Sequence, residues 1–375
     1  MIEYGPSFSN LVALAAEVSW KRGLPEVARV PVDYTALGAT RRAIGLALRV
    51  GPPPASGVKG SALRWLAGLA ADLVLEAKTN GIALRELQLD HDCAESKLST
   101  YSVWVSAIRK AIAPVPLVIT VLPSWMKQAE FRSLVAASDG YILQVHSLQR
   151  PKSYETPFTL CDPAAALAYV QKASTFGIPF RVALPTYGYV LAFATNGQFV
   201  GLSAEGTPKS WPADAKLREA RSDPIAMSQL AQTWATARPV GMQGLIWYRL
   251  PVIVDNFNWR WPTLRAIVAS RLPRESVRAQ SRRVEAGLTE ISLVNDGELD
   301  ISSRLAVQVR WSREGGTRLI AGDGLRGFEL VEEDASTARF QTRTLPRRLS
   351  AGEQWTIGWL RFQKNVEVQL EIKKR

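Results

Sequence analysis

The strongest constraint on the fold is an alternation that runs through most of the chain. Short apolar runs with strand character take turns with longer stretches that have helical spacing. The strand-like runs are 28–32, 43–50, 86–90, 116–122, 140–145, 179–185 and 244–250. Helical patterns cover 9–21, 59–80, 99–113, 127–138, 162–176, 223–237 and 261–271. Asp162-Pro163 and Asp223-Pro224 each set an N-cap before proline at the first helical position. Gly81 and Gly177 stand where a helix should close. Repeating βα units imply parallel strands joined by helical crossovers. The expected fold is therefore α/β, a TIM barrel of the (β/α)8 type over residues 1–273. Seven strands are one short of eight, and the chain opens on a helix-like pattern. The first strand is thus expected to be degenerate or to lie upstream. An open doubly wound sheet is disfavoured, because no glycine-rich phosphate loop follows any strand.

After the strand ending at Pro185, Asn196-Gly197 lies between two apolar runs and predicts a β-hairpin over the barrel mouth. A polar stretch at 274–283 reads as a linker. Beyond it, 289–294, 304–311, 338–342, 354–360 and 366–372 alternate as short strands, with turns at Asn295-Asp296-Gly297 and Gly315-Gly316. A C-terminal all-β, sandwich-like domain is expected over 285–375.

Composition excludes more than it selects. Hydrophobic residues make up 47% and charged residues 21%, enough to bury a core. The net charge of +12 is scattered. Its clusters (Arg282-Arg283, Arg347-Arg348, Lys373-Lys374-Arg375) are short and late, so a nucleic-acid partner is not expected. Two cysteines, Cys93 and Cys161, make neither a disulfide framework nor a zinc quartet, and His91 and His146 are the only histidines. No phosphate loop, nucleophile elbow or HExxH helix is present, so neither a cofactor nor a metal is expected. No run reaches the roughly 20 apolar residues of a membrane span. The start lacks a secretory pattern, which reads as cytoplasmic; a start further upstream would place the protein in the periplasm or outside the cell.

Chemistry concentrates where strands end. The run ELQLDHDC stops on Asp90 and Asp92, two residues apart and so on one face, just before a helix. Barrels of this type build reaction centres at such strand ends. Paired carboxylates near a low-dielectric interior push their pKa values apart, which supplies an acid and a base. The plainer alternative is that one of them caps the helix or pairs with an arginine. Gln144 and His146 close the strand YILQVH. Trp125 closes ITVLPSW, Tyr187 and Tyr189 close VALPTYGY, and Trp247 and Arg249 close GLIWYR. Aromatic rings beside a few carboxylates suit carbohydrates, whose C–H faces stack while their hydroxyls take hydrogen bonds. Taken singly, each of these aromatics is more often a core residue, and only their common position at strand ends makes a pattern; His91 should point away from the mouth.

The pieces LQLDHDCAESKLSTY, ITVLPSW, DGYILQ and LVNDGELD resemble a bacterial family catalogued as domain of unknown function 3142. More distantly, the barrel is similar to glycoside hydrolase family 18 chitinases. In the pattern Asp-x-x-Asp-x-Asp-x-Glu, Asp90 and Asp92 match the last two aspartates, Leu87 replaces the first, and Ala94 stands where the catalytic Glu would be; Glu95 is one residue late. The resemblance implies a glycoside hydrolase-like protein, acting on a poly- or oligosaccharide through Asp90 and Asp92. Trp125, Gln144, His146, Tyr187, Tyr189, Trp247 and Arg249 would then hold the sugar. The lost Glu implies an alternative: a silent barrel that binds a glycan or a protein.

Overall fold

The computed structural model describes residues 4–53, 60–204, 208, 210–252, 254–313, 316–343 and 348–374. Lys59, Gly315, Arg347 and Arg375, on which expectations above fall, lie outside the described residues. The chain divides into two compact units, Met1–Leu250 and Pro251–Arg375.

In the first unit the elements follow in chain order as β1 (Asn10–Lys21), β2 (Leu24–Arg29), α1 (Tyr34–Ala39), β3 (Ala43–Val50), α2 (Ser61–Thr79), β4 (Leu84–Asp90) and α3 (Leu98–Ile112). Then come β5 (Leu117–Val121), α4 (Phe131–Ala136), β6 (Gly140–Gln144), α5 (Pro163–Ser174) and β7 (Phe180–Pro185). They end with β8 (Gly188–Phe193), β9 (Phe199–Ser203), β10 (Lys216–Arg221), α6 (Pro224–Thr236) and β11 (Met242–Tyr248). One eight-stranded sheet runs β11-β7-β6-β5-β4-β3-β1-β2. All its pairings are parallel except β1 with β2. The architecture is thus the α/β barrel type, with β11 and β2 as the two edges of a curled sheet.

The curl can be proved from one contact. Glu86 on β4 and Arg181 on β7 are separated by two strands, about 14 Å across a flat sheet at ~4.8 Å per strand. Yet Arg181 Nη2 reaches both Glu86 oxygens at 2.8 and 2.9 Å. The concave face also carries Val118, Ile142, Ala183 and Ile246. On the convex side, the alternate residues Leu46, Leu48, Leu87 and Leu89 are buried, as are Leu66 and Leu73 of α2 and Tyr101, Val105 and Ile108 of α3. Asp162 and Asp223 cap α5 and α6 as expected, each accepting two backbone N–H bonds.

The opening segment corrects the sequence reading. Residues 9–21 are not a helix: β1 spans Asn10–Lys21 and pairs in parallel with β3. The first strand is present, and the strand expected at 28–32 is instead β2, returning antiparallel to β1. The alanines of LVALAAEV give a helical pattern, but pairing with β3 outweighs that weak propensity. Arg22 and Gly23 form the turn with φ of 50° and 84°, the two positive values a two-residue hairpin loop requires. The expected hairpin at Asn196-Gly197 joins β8 to β9, and β10 completes that small sheet.

Among its described residues the second unit holds α7 (Trp261–Val268) and eight strands: β12 (Val277–Glu285), β13 (Leu288–Asn295), β14 (Leu305–Trp311), β15 (Leu319–Gly324), β16 (Phe328–Asp334), β17 (Thr337–Thr342), β18 (Gln354–Phe362) and β19 (Val368–Lys374). They form two antiparallel sheets, β12-β13-β18-β15 and β16-β17-β14-β19. Ile291, Leu293 and Leu360 of one sheet share a core with Val307, Val309 and Phe340 of the other, which makes a sandwich. Most of the expected linker is strand β12: its mostly exposed, polar residues carry no apolar alternation to betray it. Among the described residues no helix is long and apolar enough to cross a membrane.

Candidate active site

The C-terminal ends of the parallel strands bring two groups of side chains to the mouth of the curled sheet. The first is charged and comes from β1, β3 and β4. Concave positions on β4 are Glu86, Gln88 and Asp90, since alternate residues share a face. Glu86 lies deepest and is fully engaged, taking Arg181 and the Gln88 amide at 2.7 Å. Asp90 stands at the rim. Arg49, its partner across β3, approaches with Nε 3.9 Å from Asp90 Oδ2, and Arg49 Nη1 lies 3.5 Å from Glu17 Oε1 on β1.

Burial raises the Asp90 carboxyl above its ordinary range and the Asp92 charge adds to this, while Arg49 and a Thr120 hydroxyl pull it back. Solvent reaches Asp92, but the walls of the mouth still desolvate it enough to raise its carboxyl, against the pull of Arg49. The Asp92 charge is thus one of the causes that raise Asp90, second to burial. Burial pushes the Cys93 thiol up to about 12, so it is a poor nucleophile.

The second group is aromatic and comes from the ends of β6, β7 and β11 and the start of β8. The Ser147 hydroxyl lies 2.8 Å from the Tyr187 hydroxyl and 3.0 Å from that of Tyr189, and the two tyrosine hydroxyls are 2.9 Å apart. Ser147 holds this position with φ of 58°, a left-handed backbone that serine seldom adopts. His146 Nδ1 approaches Ser147 Oγ at 3.3 Å, and its Nε2 is buried without a hydrogen bond. Burial drives His146 down to about 3, so its ring is neutral. Gln144 donates to the His146 carbonyl, and the Arg249 guanidinium sits 5.7 Å from the Tyr187 ring centre.

Tyr248 joins the two groups. Its ring stacks on His146 at 5.8 Å and meets Tyr187 edge-on at 5.7 Å. Burial raises its hydroxyl, as does the field of Asp90, against the pull of Arg49.

Of the residues singled out from sequence, Asp90 and Asp92 lie together, and Gln144, His146, Tyr187, Tyr189 and Arg249 lie together. Two are placed elsewhere. Trp125 is 1% exposed and packs against Tyr101 in the helical layer. Trp247 alternates with Ile246 and Tyr248, so it faces away from the concave side. His91 is buried under the mouth, its Nδ1 2.8 Å from the Val50 carbonyl. Glu95 takes a hydrogen bond from Gln128 and does not substitute for the missing Glu. Arg49, Glu17, Ser147 and Tyr248 were not anticipated. The same strand-end rule finds Arg49, the last concave residue of LALRV. Among the described residues no three His, Cys, Asp or Glu side chains gather closely enough to hold a metal ion.

A sequence model of the family described as "Domain of unknown function (DUF3142)" matches residues 64–253. A second, "Domain of unknown function (DUF8456)", matches 278–363 and takes in the LVNDGELD segment. No curated protein matches the sequence. Similar solved structures include a chitinase from Chromobacterium violaceum, at 12% identity over 72% of this chain and 92% of that one, with a TM-score of 0.49. The spore cortex-lytic enzyme SleL of Bacillus cereus is 9% identical over 72% and 69% of the two chains, TM-score 0.46. The GH18 chitinase ChiB of Flavobacterium johnsoniae is 13% identical over 71% and 87%, TM-score 0.45. These likenesses carry no information on the roles of side chains. The first family match covers more than half of the 375 residues, and the protein belongs to the family described as Domain of unknown function (DUF3142).

Proposed function

We propose that the protein hydrolyses a glycosidic bond in a poly- or oligosaccharide at the mouth of the first unit. The observation that carries this reading is the pair Asp90, which ends β4, and Asp92, two residues beyond it, with both carboxyls raised by burial at the mouth. A carboxyl that stays protonated toward neutral pH can donate to a departing oxygen. Asp92, the more open of the two, is the proton donor. Asp90 orients it and, once ionised, faces the positive charge that develops at the anomeric carbon. Tyr248 offers a ring face beside them, and the half-buried Tyr189 and Ser147 hydroxyls, braced by the buried Tyr187, would meet sugar hydroxyls.

Two observations favour a second reading, a barrel that binds a glycan or a protein without turning it over. Position 94 is alanine, and Asp90 already has Arg49 as an ionic partner.

The test is a hydrolysis and binding screen of oligosaccharides, wild type beside Asp92→Asn. Loss of one acid group should lower turnover about 10²–10⁴-fold while binding persists. Equal turnover by both proteins would remove Asp92 from the mechanism. Binding by both with product from neither would establish the silent barrel.

A further inference from the structure

Glu17 enters this mouth by way of an irregularity in β1. Up to Leu14 the concave positions of β1 are even-numbered: Val12 pairs with Gly45 and Leu14 with Ala47. The register then slips by one residue between Leu14 and Ala16, so that Ala16 pairs with Leu48 and Glu17 with Arg49. Without this bulge Glu17 would point to the convex side, because a one-residue slip reverses every later side chain. With it, Glu17, Arg49 and Asp90 form one row across β1, β3 and β4 at the level of the mouth. A bulge that re-aims one carboxylate at a cluster of reactive groups is a feature with a use.

The row also fixes a spacing. Glu17 and Asp90 approach the same guanidinium, at 3.5 Å on Nη1 and 3.9 Å on Nε. The two carboxylates therefore stand no more than about 10 Å apart. That upper bound, for Glu17 and Asp90, covers both the roughly 5–5.5 Å of retaining and the roughly 6.5–9.5 Å of inverting glycosidases, so the product anomer decides between them. The Glu17 side chain is 45% exposed, so water has access to it. Both ion pairs of Arg49 are long and single-pronged, which leaves Glu17 free to take another partner.

We propose that Glu17 is a third catalytic carboxylate of this site, the general base that activates water, and that hydrolysis proceeds with inversion at the anomeric carbon. The inference rests on the hydrolase reading above. In the step, a water oxygen bonds to the anomeric carbon as the bond from that carbon to the glycosidic oxygen breaks. The water gives one proton to Glu17, and the Asp90/Asp92 pair gives its proton, through Asp92, to the leaving oxygen. The pair ends one proton poorer and Glu17 one richer, and exchange with solvent resets both. Arg49 lies between the two sides, within reach of both Glu17 and Asp90.

The test uses the full chain and a panel of hexasaccharides (cello-, xylo-, manno-, chito- and galacturono-). The anomer first released is read by proton NMR before mutarotation, and pH profiles are taken for wild type, Glu17→Gln and Glu17→Asp. The inference expects the product anomer opposite to the cleaved linkage. It also expects a fall in kcat of about 10²–10⁴-fold in Glu17→Gln, with loss of the acidic limb of the kcat/KM profile, and partial recovery of both in Glu17→Asp. A merely structural partner of Arg49 would leave that limb in place. Retention of configuration, or Glu17→Gln turning over within twofold of wild type, overturns this inference and leaves the hydrolase reading standing. No product from wild type on any substrate overturns both.

Discussion

The two sides of the mouth are held by different physics. On the β1–β3–β4 side, charges meet at long range: Arg49 reaches Glu17 at 3.5 Å and Asp90 at 3.9 Å, and more than half of its own side chain is exposed. On the β6–β7–β11 side, hydroxyls meet at 2.8–3.0 Å around a histidine that is 3% exposed. The loose side can trade partners at little cost, whereas the tight side must give up close, partly buried hydrogen bonds to do so. That division suits a site in which one wall reacts and the other positions.

The sides also answer pH with opposite sign. A carboxyl raised in the folded state, as Asp90 and Asp92 are, adds stability below its unfolded pKa, and that stability is lost as pH rises through the folded value. His146 works the other way. Its folded value of about 3 lies below the ordinary 6.5, so the folded state binds fewer protons than the unfolded chain between those limits. Its contribution is complete above about 6.5 and is lost progressively as pH falls toward 3. At 1.36 kcal/mol per pH unit, the loss by pH 4.5 is on the order of 2–3 kcal/mol. Urea melts of the full chain from pH 7.5 to 4.5 should therefore show a steeper acid-side fall in wild type than in His146→Gln, which carries no titrating ring. Parallel curves for the two proteins would mean that the ring takes up a proton in the fold, and the contrast between the two walls would collapse.

A smaller effect probes the tight wall without titration. Tyr187→Phe removes one of three mutually bonded hydroxyls and keeps the ring that packs on Tyr189 and Tyr248. The remaining hydroxyls lose partners in a half-buried place, at a cost of about 1–2 kcal/mol. In the same melts at pH 7.5 the midpoint should drop while the slope stays constant. An unchanged midpoint would show that water replaces the lost hydroxyl, and that this wall is as loose as the other.

Much of this was legible in the sequence where a rule depends only on neighbours along the chain. Six of the seven parallel strands, the Asp-Pro caps of α5 and α6 and the Asn-Gly hairpin all follow from local pattern. Asp90 and Asp92 announced themselves because a strand ends on them. What sequence could not supply was phase and curvature. LVALAAEV satisfies a helical period as well as a strand one, and only the partner β3 decides between them. Choosing Trp247 over Tyr248 was an error of one residue in phase, and the period-two rule turns such an error into the wrong face. Glu17 depends on a bulge, and Arg181 meeting Glu86 depends on the sheet curling, neither of which any window of the chain encodes. The motif pieces of the first unit, by contrast, identified the family directly, because they are strings, whereas LVNDGELD belongs to the second family match.

The smallest effect is expected where the loose side is disturbed most gently. Arg49→Lys keeps a positive charge between Glu17 and Asp90 and gives up the guanidinium fork. Both of its ion pairs are long and partly solvated, and exposed pairs contribute about 0–1 kcal/mol. The urea midpoint at pH 7.5 should therefore move by no more than about 0.5 kcal/mol in stability. Arg49 nevertheless faces both carboxylates, and a lysine is a point charge on a flexible stem that cannot address two acids at once. If the wall is reactive rather than structural, the same substitution should change the pH dependence of turnover while leaving the melt in place. A stability loss of several kcal/mol would instead make Arg49 a keystone of the fold. The charged wall would then be as rigid as the aromatic one, and Glu17 would have no freedom to leave Arg49 for a water molecule.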